Sequence, residues 1–230
     1  MVEISNIKVY DLKESVVACR NAMRLTPPKY TEEEFEKSLQ RAMQLAKCGG
    51  GSGHSNFRKG IRVSFDIKYP NYFSPELQRY GFVDIISSSS KIHKLVNMDL
   101  DICCNEYVSE QSIEETRNNV WCYNNIKKAD AKNFEYSFVL RNGTTKTTKN
   151  KNEALYWAFM KCISNCPQGI ELFMRCSTNY EQLATIYRQR KHHKLKEDWG
   201  AFCGFIETLP FAKELIFSGL DIDLDDDKED

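Results

Sequence analysis

The stretch Gly60 to Tyr69 constrains the fold most. Ile61, Val63, Phe65 and Ile67 fall on one face of a strand, and Pro70 closes it. A run with period two is a pleated strand, and one with an apolar face must bury that face under another layer. Residues 2–10 repeat the alternation through Val2, Ile4, Ile7 and Val9 and read as a second strand. Met1–Tyr10 lacks a basic region followed by an apolar core, so it does not read as a secretory signal.

Helical stretches alternate with these strands. Lys13 to Leu25 reads as a helix stopped by Pro27-Pro28. Thr31 caps the next, with Glu34 in the capping-box position and Phe35, Leu39, Ala42, Met43 and Ala46 as its apolar face. A loop from Cys48 to Gly53 with four glycines follows. Ser74-Pro75-Glu76 opens a helix expected to run to about Ile86. Residues 97–133 read as polar and irregularly helical, and Phe134–Leu140 as a strand or short helix ending at Asn142-Gly143. Residues 144–151 read as an exposed basic loop. Asn152–Ile163 is a helix, Ile170–Cys176 a strand, Asn179–Arg190 a helix, and Lys196–Thr208 a last helix before Pro210. The fold class is α+β: a single domain over residues 1–220 with a mixed or antiparallel sheet and packed helices, then an acidic, solvated tail at 221–230.

Charge narrows the ligand class. The whole chain carries 32 basic and 32 acidic residues, but seven of the acids and one base lie in 221–230. That leaves 31 bases against 25 acids in residues 1–220. A mildly basic body suits phosphate-bearing ligands and is too weak to make duplex DNA the main partner. No apolar run approaches the length of a membrane span. The nine cysteines are odd in number, scattered and without a CxxC, which suits free thiols in the cytoplasm and gives no metal-ligand spacing.

Three places can carry chemistry. Ser87, Ser88, Ser89 and Ser90 with Lys91 and His93 can hold a phosphate; a polar loop is the plain alternative. Arg188, Arg190, Lys191, His192, His193 and Lys194 follow a helix, where cations are favourable for electrostatic reasons alone; a guanidinium there can also fork onto a phosphate or carboxylate. Gly53-His54 precedes the core strand, where a glycine admits close backbone approach to a ligand and a lone His is as readily structural.

In this order the features resemble the flavin-dependent thymidylate synthases. Gly53-His54-x-x-Phe57, the 61–69 strand, Pro70 and a helix with Arg79 follow that family's pattern. Its Arg-His-Arg falls on Arg79, Tyr80 and Gly81, and its substrate-loop Ser and Arg on Ser89 and Lys91. Its late Asn, with an Arg eleven residues on, falls on Asn179 and Arg190, with His192-His193 near the following stretch. Two of the three Arg-His-Arg positions therefore differ, the Asn-x-Arg pair reads Asn179-Tyr180-Glu181, and Lys161 is the nearest base to another family Arg. The resemblance implies conversion of dUMP to dTMP by a cytoplasmic homotetramer with FAD, using methylenetetrahydrofolate and NADPH as co-substrates. It implies catalytic roles for Arg79 and Arg190. Ser87, Ser88, Ser89, Ser90, Lys91 and Arg190 would bind substrate, and His54, Arg79, Tyr80, Asn179 and His193 the cofactor. The alternatives are a non-catalytic nucleotide-binding relative on the same fold, or an RNA- or partner-binding module using the basic stretches 144–151 and 188–196.

Overall fold

A computed structural model describes residues 1–48, 53–131 and 134–218. The acidic tail and Gly49–Ser52 lie outside the described residues. In chain order the elements are β1 (Glu3–Tyr10), α1 (Leu12–Ala18), α2 (Glu32–Ala46), the single turn α3 (Phe57–Gly60), β2 (Arg62–Pro70), the turn α4 (Ser74–Leu77) and β3 (Asp84–Ser88). Short α5 (Lys91–Lys94) and α6 (Leu100–Cys103) precede long α7 (Glu110–Lys128), β4 (Tyr136–Val139), β5 (Thr145–Thr148) and α8 (Lys151–Ser164). The chain returns through β6 (Glu171–Asn179), α9 (Tyr180–Arg190) and α10 (Lys196–Glu207), with a π-helical turn at Ala212–Ile216. Contacts divide it into two compact units: residues 1–69, 73–88 and the chain from 173 on, and residues 70–72 with 89–172.

The first unit is built on a four-stranded sheet of order β1-β2-β6-β3. β1 and β2 pair antiparallel with Ile4 opposite Ile67 and Val9 opposite Val63; β3 and β6 pair antiparallel with Asp84 opposite Ser177. The apolar face foreseen for the 61–69 strand is real: Ile61, Val63, Phe65 and Ile67 are fully buried, beside Met174 and Cys176 of β6. α10 supplies its cover, with Phe65 against Phe202 at 5.8 Å and Phe205 at 4.9 Å. Burying each such ring is worth about 1.5–3 kcal/mol. The opposite face keeps its polar residues, and Arg175 donates to Asp66 at 3.1 Å and Arg62 to Asp84 at 3.2 Å across it.

In the second unit α7 packs on α8, and Leu95, Leu100, Ile113, Cys162, Cys166 and Ile170 form the core, with a smaller cluster of Ile126, Ala154 and Ala158. Asn150 caps α8, its Oδ1 accepting from Asn152 N–H at 3.0 Å.

Three sequence expectations are corrected. The helix opened by Ser74-Pro75-Glu76 stops at Leu77, and residues 84–88 are the edge strand β3, because the segment with β-branched Ile85 and Ile86 pairs on β6, Ile86 in a register shift, instead of continuing a helix across Gly81. Residues 144–151 are not a loop: Thr145–Thr148 form β5, a hairpin with β4 whose Asn142-Gly143 turn puts Gly143 at φ +80°. The first helix ends at Ala18, and the chain tightens to a 3-10 turn at Asn21–Met23, with Met23 N–H bonded to Arg20 C=O at 3.0 Å.

Candidate nucleotide site

The corner where β6 becomes α9 sets the geometry. Asn179, the last residue of β6, is extended, and its Oδ1 accepts from Gln182 N–H at 2.9 Å. An Asn at this position satisfies one orphan N–H of the helix start. Tyr180 N–H donates to Ile61 C=O at 3.2 Å, which fixes the corner against the residue preceding β2. Thr178 Oγ1 donates to Phe82 C=O at 2.9 Å and holds the segment carrying that ring.

A cleft of about 470 Å³ opens at this corner, lined by Lys59, Arg62, Phe82, Asn179, Glu181, Gln182 and Thr185. Its size lies in the usual range for small-ligand sites, about 300–1,000 Å³. Glu181 does not oppose an anion there: its Oε2 accepts from the buried Arg58 Nε at 2.6 Å and its Oε1 from Ser55 Oγ at 3.3 Å. Arg58 is anchored from its other side, Nη1 donating to Leu215 C=O at 3.2 Å. Arg62 is held by Asp84 and by Ser177 Oγ at 3.1 Å, whereas the Lys59 ammonium has no carboxylate partner among the described residues. The Phe82 ring is 67% exposed. The cleft thus offers a lysine, an oriented guanidinium, the positive end of an 11-residue helix, three neutral hydrogen-bonding side chains and an open aromatic face. That set suits a phosphate-bearing ligand with a flat ring.

The residues singled out by sequence fall in four places. Arg79, Tyr80, Arg190 and His193 converge around Glu76 and Trp199. Arg190 Nη1 pairs with Glu76 Oε2 at 2.9 Å, its Nε donates to Tyr80 Oη at 2.7 Å, and its guanidinium carbon lies 4.7 Å from the centre of the Trp199 ring. Tyr80 Oη in turn donates a hydrogen bond to Gln189 Oε1 at 3.0 Å. His193 sits edge-on to Trp199 at 6.1 Å, and Arg79, 73% exposed, lies 3.7 Å from Glu76. Asn179 is in the cleft. His54 lines a different cleft, with Arg20 and Arg41. Ser87 and Ser88 are exposed on β3, Ser90 Oγ caps α5 by accepting from His93 N–H at 3.4 Å, and Ser89 and Lys91 belong with that second unit.

Lys59, Arg62, Phe82, Gln182 and Thr185 were not foreseen. Arg62 alternates correctly as a solvent-side strand residue, and nothing local marks it; the fold brings it to α9. Buried thiols offer no nucleophile here, since burial pushes Cys176 and Cys203 up to about 12. Among the described residues no group of three His, Cys, Asp or Glu is placed to hold a metal, and no helix is long and apolar enough to cross a membrane.

No family model matches the sequence, and no curated protein matches it. Solved structures do match in fold. The crystal structure of thymidylate synthase X from Helicobacter pylori with FAD and dUMP superposes with a TM-score of 0.56 at 14% identity, covering 96% of this chain and 100% of that one. A second structure from Helicobacter pylori, the flavin-dependent thymidylate synthase complexed with FAD and dUMP, gives 0.53 at 15% identity over 94% and 97%.

Proposed function

We propose that this chain is a flavin-dependent thymidylate synthase-like protein that binds a pyrimidine nucleotide and FAD and converts dUMP to dTMP. One observation carries the reading: a cationic cleft at the start of α9 in a fold shared with proteins whose structures hold FAD and dUMP. The donor set fits a phosphate-bearing ring. Lys59 and Arg62, beside the start of α9, would hold phosphate oxygens, Gln182 and Thr185 would hydrogen-bond a base edge, and Phe82 would pack on its face. Flavin, when bound, supplies the redox chemistry, with NADPH and methylenetetrahydrofolate as co-substrates; the residues of this chain supply binding and orientation. Assembly into a homotetramer belongs to the same proposal. Phe82, Ile86 and Phe173 expose 67%, 63% and 58% of their surface around β3, an apolar edge that a second copy would cover.

A second reading, a nucleotide-binding relative without catalysis, is favoured by the state of Arg190. Its guanidinium is already engaged by Glu76, Tyr80 and Trp199. The two readings divide on two measurements of purified protein incubated with FAD. A flavin absorption band with dUMP-dependent dTMP formation supports the enzyme. Calorimetric dUMP binding without either supports the relative. Absence of both flavin and dUMP binding refutes the two together. Sedimentation as a stable monomer at micromolar concentration removes the tetramer.

A further inference from the structure

We propose that the β4–β5 hairpin and the adjoining side of α8, all within the second unit, form a binding surface for a single-stranded nucleic acid. The positive charge of the chain is concentrated there. Residues 127–151 hold seven bases against two acids, Asp130 and Glu135, a net of +5. Residues 1–220 as a whole carry 31 bases against 25 acids, a net of +6, so this one segment holds nearly all of it. A cationic track of this kind suits a phosphate chain.

Part of that charge serves the fold. Lys127 and Lys128 end α7, where cations complement the helix dipole, and Lys151 Nζ donates to Ala129 C=O at 2.6 Å. Arg141, Lys146 and Lys149 have no such task. All three are exposed on the hairpin or at its end, without a carboxylate partner among the described residues. The Glu153 carboxylate on α8 is turned to the hairpin's own Thr148, accepting from Oγ1 at 2.6 Å. Three like charges gathered on one small ribbon repel one another, and a polyanion relieves that repulsion.

Rings are interleaved with these cations. Lys146 lies opposite Phe138 in the hairpin register. Phe138 stacks with Tyr136 at 6.2 Å, the planes 24° apart, and meets Trp157 of α8 at 5.5 Å. The Lys146 ammonium sits 5.4 Å from the centre of the Trp157 ring. Beside Trp157, Tyr156 and Met160 expose 62% and 41% of their surface. Met160 is three residues beyond Trp157 and four beyond Tyr156, so it adjoins both. A base can stack on Tyr156, and on Trp157 once the ammonium swings from the ring to a phosphate. The exposed hydroxyls of Ser137 and Thr147, bonded to each other at 2.7 Å, can turn to phosphate oxygens. An acidic peptide would use the cations and leave the rings idle. The polar turn Arg141-Asn142-Gly143-Thr144 disfavours insertion into lipid. Stacking requires unpaired bases, which selects a single strand over a duplex. The shared chemistry is a single strand, of RNA or DNA.

The test is fluorescence anisotropy of the full chain with labelled oligo(U) and, separately, oligo(dT), each of roughly 20 nucleotides, at about 50 and 200 mM salt. Saturable binding is expected. Three phosphate contacts make it about 20-fold weaker at the higher salt. Replacing Arg141, Lys146 and Lys149 together by Gln should lower affinity at least about tenfold and flatten that salt dependence. Tyr156→Ala, a substitution at an exposed side chain, should lower it roughly 5- to 100-fold by removing one stacking platform. Thermal melts verify the fold of both variants. Tighter binding of oligo(U) identifies RNA as the source, and equal or tighter binding of oligo(dT) identifies any single strand. No binding by the parent protein, or equal binding by the folded triple variant, overturns the proposal. A duplex of the same length bound as tightly as the single strands also overturns it, as does poly-glutamate bound as tightly, because the rings would then contribute nothing. Displacement of the strand by saturating dUMP overturns it as well, since the strand would then occupy the nucleotide site. Failure of dUMP itself to bind strikes the function proposed above and leaves this surface standing.

Discussion

Replacing Arg190 with Lys keeps the charge and removes the planar fork. In the structure that fork makes two bonds at once, to the Glu76 carboxylate at 2.9 Å and the Tyr80 hydroxyl at 2.7 Å, while its plane lies over Trp199. A lysine ammonium reaches one of these partners and leaves the other unmade. The side chain is only 12% exposed, so solvent screening discounts the loss little. A hydrogen bond to a charged group is worth about 1.5–3 kcal/mol, and one such bond is the net change. For a chain of this length each kcal/mol moves the melting temperature by about 2–4 °C, so a fall of about 3–12 °C is expected. Arg79→Lys serves as the control: at 73% exposure it should stay within about 0.5 kcal/mol of the parent. Scanning calorimetry on the three proteins, with dUMP titrations alongside, reads both quantities. An Arg190→Lys protein with unchanged melting and a weakened dUMP affinity would refute the reasoning and make Arg190 a ligand residue, the role that its spacing from Asn179 implies.

Three further outcomes are expected. Stability should fall as pH rises from 9 toward 12: Cys176 and Cys203 are raised by burial from 9.0 to about 12, so the unfolded thiols ionise first, and at pH 10 each contributes about 1.4 kcal/mol of loss. Urea unfolding at pH 8 and pH 10 checks this, and equal midpoints contradict it. Gly169→Ala should cost about 1–3 kcal/mol by overpacking, since a Cβ there would lie 2.4 Å from Val108 Cγ2 and 2.5 Å from Asn105 Oδ1; a neutral melt would show that Asn105 moves freely. Deletion of residues 221–230 should leave the melting temperature nearly unchanged, because seven acids in ten residues repel one another and bury little; a large drop would mean that the tail docks on the basic body.

Strand β2, helices α2, α8, α9 and α10 and the caps at Thr31 and Asn179 were legible because each rests on local periodicity or a single capping oxygen. β3 and β5 were not. Ile85-Ile86 could serve a helix or a strand, and the choice falls to β6, a partner about 90 residues away. The Thr and Lys run of β5 has no apolar face, and only its pairing with Tyr136–Val139 makes it a strand. The site followed the same division. Asn179 was visible as a helix-opening residue, whereas the fold gathers Arg190, Tyr80 and His193 around Trp199 and Glu76, outside the α9 cleft. Lys59 and Arg62 carry no local mark, since a cation at a strand start is ordinary until the fold sets it beside a helix N-terminus.

The sheet order has a consequence for how the chain is made. β2 and β6 are neighbours at the centre of the sheet, yet about 100 residues separate Pro70 from Glu171. At roughly 5–20 residues per second, a ribosome takes about 5–20 s to deliver β6 after β2 has emerged. During that interval the central hydrogen-bonding edge of β2 is open, and Phe65 lacks Phe202 and Phe205, which arrive later still. A nascent chain stalled before residue 171 therefore presents a sticky strand with nothing of its own to cover it. Fragments ending there should need a chaperone, whereas the complete chain carries the strand and the helix that cover β2.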